Sequence, residues 1–371
     1  MCMTLTMPGA PDVGSYYGEQ WAPPAMSSLS SLFSYSPPGT AKYAAALASP
    51  SQQVSTTMPE LETEGELKTL PAPMTIETTA AAAAAARSPE IVKVRSVWAH
   101  NLDEEANLIE SLFPSFRLAA VDTEFPGTVH RPSAPAYTLT RKQKYALLKK
   151  NVDELHLVQL GLTLFDAGGR LPDLGTGGAA RYVWEFNFRE FDLRRHAHAP
   201  ESIALLRSKG VDFDRTRRGG VDAAAFGPRL RRWLRAGLGR AGLVTFSGTY
   251  DLAYMLKMLY GGGGGGGGYR LPGDAATFEF VVRAVIGRTL YDVGKMARHC
   301  PGDMRGGLER VAGKLGVRRA VGEAHQAGSD SLLTSQMFMR MRERYFDDQD
   351  ALTAVAGINF GYLNFTSCEY T

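Results

Sequence analysis

The stretch Phe116–Gly127, FRLAAVDTEFPG, constrains this chain more than any other. Its apolar first half predicts a strand, and the period-two geometry of a strand sends Asp122 and Glu124 to the same side. Two carboxylates closing an apolar strand are costly unless they face water or a cation. A divalent metal ion is the natural counter-charge for such a pair. A solvated strand end is the ordinary alternative.

Two other acids sit at comparable places. Phe246-Ser247-Gly248-Thr249-Tyr250-Asp251 closes a short apolar strand, Gly242–Phe246, and brings Asp251 to the start of an apolar helix, Asp251–Tyr260. His325-Gln326-Ala327-Gly328-Ser329-Asp330 leads into another apolar helix, with His325 five residues before Asp330. Alone, each acid reads as a helix-start carboxylate favoured by the helix dipole, and the histidine as a structural one. Together, four acids and one histidine at strand ends and helix starts form a set suited to holding hard cations.

The rest of the chain frames these segments. Residues 1–90 hold 11 of the 20 prolines and a net charge of −5, without sustained apolar periodicity. Such a composition predicts a disordered tail. The remaining 281 residues carry a net +8, enough chain for one large core and compatible with a polyanionic partner. No run of 18 apolar residues exists, so no membrane span is expected. Cys2, Cys300 and Cys368 are far apart, which argues against a disulfide framework and against a structural zinc site. Val97–Phe113 has helical spacing. Phe116–Thr123, Leu155–Phe165, Arg181–Phe188 and Gly242–Phe246 read as strands, the second and third joined by a Gly-rich turn. Asp292–His299, Leu308–Leu315 and Ser329–Phe346 read as helices, Gly261–Gly268 as a flexible loop, and the residues from Asp350 as a short appendage. Early antiparallel strands followed by strand–helix alternation predict one α/β domain with a mixed sheet flanked by helices.

The order of these acids, with an HxxxxD third motif, resembles that of the DEDD exonucleases. The segments VDTEFPG, YALLKKNVDELHLVQLGLTLFD, WEFNFREFD, HAPESIALLRSKGVDF and AVGEAHQAGSDSLLT are similar, more closely, to the Caf-type deadenylases, the nuclease subunits of CCR–NOT complexes, and above all to their plant members. The likeness runs from Val97 to Phe346. It departs from the family at Ser247-Gly248-Thr249, at the glycine run and at Gly294, and none of these is a metal-ligand position.

This resemblance implies an RNase H-like fold over residues 91–349, with a tail at 1–90 and an appendage at 350–371. It implies a 3′→5′ exoribonuclease that shortens poly(A) tails of mRNA and releases AMP. Two divalent ions, Mg²⁺ or Mn²⁺, would be held by Asp122, Glu124, Asp251 and Asp330. His325 would be the general base. Asp292 reads as a helix-start acid, with a supporting role in the site as the alternative. Partners would be single-stranded RNA, the CCR–NOT scaffold and a second deadenylase subunit, in cytoplasm and nucleus. Phe125, beside the acidic pair, could stack on a base or pack in the core. The arginines 215, 217, 218, 229, 231, 232, 235 and 240 could line an RNA path or form a solvated helix face. Activity on other RNA or DNA, and a non-catalytic adaptor role, are the competing accounts.

Overall fold

Six short runs of β-prone residues build one sheet. The computed structural model describes residues 91–238, 242–261, 269–287 and 289–358. The expected disordered tail, residues 262–268 of the glycine run and residues 359–371 lie outside them. The strands are β1 (Ile91–Val97), β2 (Leu118–Glu124), β3 (Gln159–Phe165), β4 (Ala180–Asn187), β5 (Gly242–Thr245) and β6 (Leu290–Asp292). Their order is β1-β4-β3-β2-β5-β6. β2, β3 and β4 run antiparallel to their neighbours in that trio, whereas β1 joins β4, β5 joins β2 and β6 joins β5, all in parallel. This is the mixed sheet expected.

Helices cover both faces. They are α1 (Leu102–Leu112), α2 (Arg141–Glu154), α3 (Pro200–Ser208), α4 (Phe213–Gly219), α5 (Ala223–Ala236), α6 (Thr249–Gly261), α7 (Ala275–Val285), α8 (Val293–Met296), α9 (Leu308–Leu315), α10 (Ala327–Tyr345) and α11 (Gln349–Val355). Alternation along β2 sorts the layers. Ala119 and Val121 face a core shared with α1, α2, α5, α6 and α7. Ala120 faces the other core, shared with α8 to α11. By the same alternation Asp122 and Glu124 fall on the α10 side, and Thr123 on the α6 side. Burying these apolar faces at ~25 cal/mol per Å² is the main force that holds the layers together.

Two local readings change. Val97 ends β1, and the helix that follows starts at Leu102, not at Val97. The strand after α2 starts at Gln159, not Leu155. Asp292 is the helix-start acid expected, capping α8 with its side chain accepting from the Lys295 N–H at 2.9 Å, and it also closes β6. Within the expected appendage, Gln349–Val355 form α11, whose Leu352 and Val355 are buried in the second core.

One glycine decides how α10 meets the sheet. Gly161 of β3 pairs in register with Asp122 of β2. A Cβ at Gly161 would stand 1.8 Å from the Ala327 carbonyl oxygen. Only glycine lets the first turn of α10 settle directly on the strand beside Asp122.

Candidate active site

The end of β2, the start of α6 and the approach to α10 converge on one cleft of about 240 Å³. Asp122, Glu124, Asp251, His325 and Asp330 all line it, and so does Phe125. Residues 208 positions apart in sequence, from Asp122 to Asp330, are thus brought together by the sheet and its two covering layers. The tightest group is Glu124, His325 and Asp330, each offering a ligand atom within 4.8 Å of the others. Asp122 and Asp251 line the same cleft outside that trio.

Each side chain is fixed by its own local structure. Asp251 is buried in the first turn of α6 and accepts a hydrogen bond from the Thr123 hydroxyl at 2.5 Å. Asp330 is buried in the first turn of α10, and its Oδ2 accepts from the His325 backbone N–H at 2.9 Å. His325 has φ +64°, a left-handed conformation rare for a non-glycine residue, and that backbone hydrogen bond helps to hold it. Ser247, with φ +53°, turns the chain into α6. The Asp292 carboxylate accepts from the N–H groups of Ser247 at 3.1 Å and Gly248 at 3.0 Å, which pins that turn. The sequence Ser247-Gly248-Thr249, where the chain departs from the resemblance, therefore keeps Asp251 at the cleft.

The carboxylates are poorly compensated. Burial first, then the charges of Asp251, Asp330 and Glu124, holds the Asp122 carboxyl well above its ordinary value. Burial, then Asp330 and Asp251, does the same to Glu124. Burial pushes Asp251 up to about 7 against the pull of the Thr123 hydroxyl. Burial pushes Asp330 up to about 6, although Arg319 opposes it. Arg319 Nη2 lies 2.6 Å from Asp330 Oδ1. It is the only arginine or lysine among the described residues that lines the cleft. These four acids and Glu309, which also lines the cleft, stand against one guanidinium and leave a strong field for cations, and all offer hard oxygen donors. The residues present therefore fit divalent metal ions.

Several contributors escaped the sequence reading. Arg319 and Thr123 carried no motif of their own. Glu185 of β4 is a further acid nearby, its Oε2 accepting from the Gly328 N–H at 3.2 Å and its Oε1 from Gln159 at 3.1 Å. Of the two roles expected of Phe125, packing is the one the structure shows. Phe125 lines the cleft and also stacks on Tyr250, with ring centroids 4.8 Å apart, and packs against Tyr254. None of the described arginines between 215 and 235 lines the cleft, and Arg240 lies outside the described residues. Arg215 lies over the Trp98 ring, Arg217 faces Asp192 at 3.4 Å, Arg229 pairs with Asp103, and Arg232 pairs with Glu110 at 2.7 Å.

Comparison with known proteins decides the family. Residues 97–223 match the model of the CAF1 family ribonucleases. The chain is 41% identical over 258 residues to probable CCR4-associated factor 1 homolog 10 of Arabidopsis thaliana, covering 69% of this chain and 87% of that protein. The chain belongs to the CAF1 ribonuclease family. It is also 35% identical over 263 residues to the poly(A) ribonuclease pop2 of Schizosaccharomyces pombe, covering 70% of this chain and 72% of that one. A solved structure of S. pombe Pop2p in its Mg²⁺- and Mn²⁺-bound form superposes with a TM-score of 0.63 at 34% identity, covering 74% of this chain and 100% of that one. The fold of this CAF1-family chain is accordingly RNase H-like, as the resemblance implied. No helix among the described residues is long and apolar enough to cross a membrane.

Proposed function

We propose that this CAF1-family chain is a 3′→5′ exoribonuclease that shortens poly(A) tails of mRNA and releases AMP. A single domain, 91–349, carries the activity, flanked by the tail 1–90 and the appendage 350–371. The observation that carries the reading is the uncompensated carboxylate cluster at the end of β2, within a family of ribonucleases. The name of the pop2 relative supports poly(A) as substrate.

Asp122, Glu124, Asp251 and Asp330 would hold two divalent ions, Mg²⁺ or Mn²⁺, as the metal-bound Pop2p neighbour suggests. When bound, such ions supply charge stabilisation for the attacking and leaving oxygens of a phosphodiester displacement. The protein's own groups do the rest. Thr123 keeps one oxygen of Asp251 fixed, so its other oxygen is presented in one orientation. Burial, with Lys209 and Arg319, lowers the pKa of His325, so its ring is neutral near pH 7 and can accept the proton of an attacking water. Phe125, backed by Tyr250, offers a rigid ring edge beside the cleft against which a terminal base can rest.

The relatives named as CCR4-associated factors support a place in a CCR–NOT-type assembly. Its scaffold, a second deadenylase subunit and action in cytoplasm and nucleus belong to the same proposal. The test is a substrate panel: oligo(A), oligo(U), single-stranded DNA and an RNA ending in a poly(A) run, each with Mg²⁺ or Mn²⁺. Stepwise loss of the 3′ adenosines as AMP, slowing at the tail boundary, is expected. Equal rates on oligo(U) or DNA would replace poly(A) specificity with general trimming. No cleavage by folded, metal-loaded protein would leave the adaptor reading.

A further inference from the structure

Arg319 is held in an unusual way for a cleft-lining cation. Its side chain is only 13% exposed. Its Nε donates to Glu309 Oε1 at 3.1 Å, its Nη1 to Ser329 Oγ at 2.5 Å, and its Nη2 reaches both Glu309 and Asp330 Oδ1. Three of these four contacts are made to groups outside the acidic cluster. Only the fourth is made to an acid of the cluster, and that acid is Asp330.

We propose that Arg319 occupies Asp330 as a stand-in cation, gives it up to the incoming divalent ion, and then holds a backbone phosphate of the RNA. The inference rests on the proposed nuclease reading. A guanidinium and a divalent ion compete for the same carboxylate oxygen, because each neutralises it. Glu309 and Ser329 keep the guanidinium in the cleft when Asp330 is taken over. The Nη2 donor that Asp330 releases is then available to a phosphate oxygen, and the planar fork of arginine suits that geometry. The same residue thus guards a buried carboxylate before metal arrives and positions the substrate afterwards.

Two substitutions test this, Arg319→Lys and Arg319→Gln, each with two readouts. In the absence of RNA, Mn²⁺ titration by calorimetry should show Arg319→Gln binding the ion at Asp330 about five- to tenfold more tightly than wild type, since its competitor is gone. With saturating Mn²⁺, the same variant should raise KM for oligo(A) about tenfold while kcat changes less than threefold. Arg319→Lys keeps the charge and loses the fork, so it should lie between on both scales and guards against a folding artefact. Unchanged or weakened Mn²⁺ affinity in Arg319→Gln overturns the inference and leaves the nuclease reading standing. A fall in kcat at constant KM also overturns it, because it would place Arg319 in the chemical step. Failure of wild type to bind Mn²⁺ at all would instead overturn the nuclease reading itself, and this inference with it.

Discussion

Glu105 and the acids at the end of β2 both bury carboxylate, and they solve the problem differently. Glu105 of α1 is 4% exposed. Arg95 clasps it with two hydrogen bonds, at 2.8 and 2.5 Å, and the Trp184 indole N–H donates to it at 3.0 Å. One charge meets one fork and one further donor, so the pair closes on itself and ties α1 to β1 and β4. At the end of β2, four acids share with Glu309 one guanidinium, and a neighbouring carboxylate raises each of the four further. A compensated carboxylate is structural; a cluster left uncompensated in a cleft stores a demand for cations that the fold alone does not meet.

The largest effect should separate the two places outright. Asp122→Asn keeps shape and removes a charge from the crowded cluster. Its rate on oligo(A) should fall roughly a thousandfold or more, since several kcal/mol of charge stabilisation is at stake. Its metal-free melting temperature should hold or rise. A large drop in stability with the rate retained would show that Asp122 is structural, like Glu105.

Next comes Gly161→Ala. The new methyl meets the Ala327 carbonyl, so the first turn of α10 must move away from β2. Overpacking of this kind costs about 1–3 kcal/mol, and a misplacement of Asp330 by about 1 Å should cost on the order of a hundredfold in rate. Circular dichroism melts and single-turnover rates read the two parts separately. Glu105→Gln should do the opposite. It breaks a partly buried ion pair, so stability should fall by about 2–4 kcal/mol while the rate per folded molecule stays within about twofold. If Glu105→Gln instead cut the rate with stability intact, the contrast between the two acids would collapse.

The smallest effect is a pH dependence. Asp251 and Asp330 have folded-state pKa values of about 7 and about 6, raised above the ordinary carboxylate range by burial. The folded state therefore binds their protons more tightly than the unfolded state. Stability from these groups is fully present below about pH 4 and is lost as the pH rises through 6 and 7. The metal-free protein should lose melting temperature across that window, and excess Mn²⁺ should abolish the loss. A metal-free melting temperature flat from pH 4 to 7 would show that the cluster is already compensated.

Much of this was legible in the sequence, for identifiable reasons. β2, β3, β4 and β5 announce themselves through apolar and β-branched runs, and the site acids follow because they sit where those runs stop. β1 is harder: IVKVRSV is an edge strand in which only Val97 is fully buried, so its end reads as part of the next helix. β6 has three residues, too few for any periodicity to show. Helices such as α2, with charge spread around much of its surface, carry no clean stripe. Thr123 and Gly161 were invisible because their roles exist only across long-range contacts, to Asp251 and Ala327 in turn, whereas Arg319, eleven positions before Asp330, sits in a loop with no period to mark it. No spacing rule links a residue on a strand to a helix more than a hundred positions later.

The central claim is that the acids at the end of β2 are left uncompensated in order to take up divalent ions. Calorimetric titration of Mn²⁺ into the full chain, wild type beside Asp122→Asn and Glu105→Gln, addresses it most directly. The account predicts two ions per chain for wild type and for Glu105→Gln, and loss of at least one in Asp122→Asn. Binding that is absent from wild type, or that survives Asp122→Asn unchanged, would contradict it.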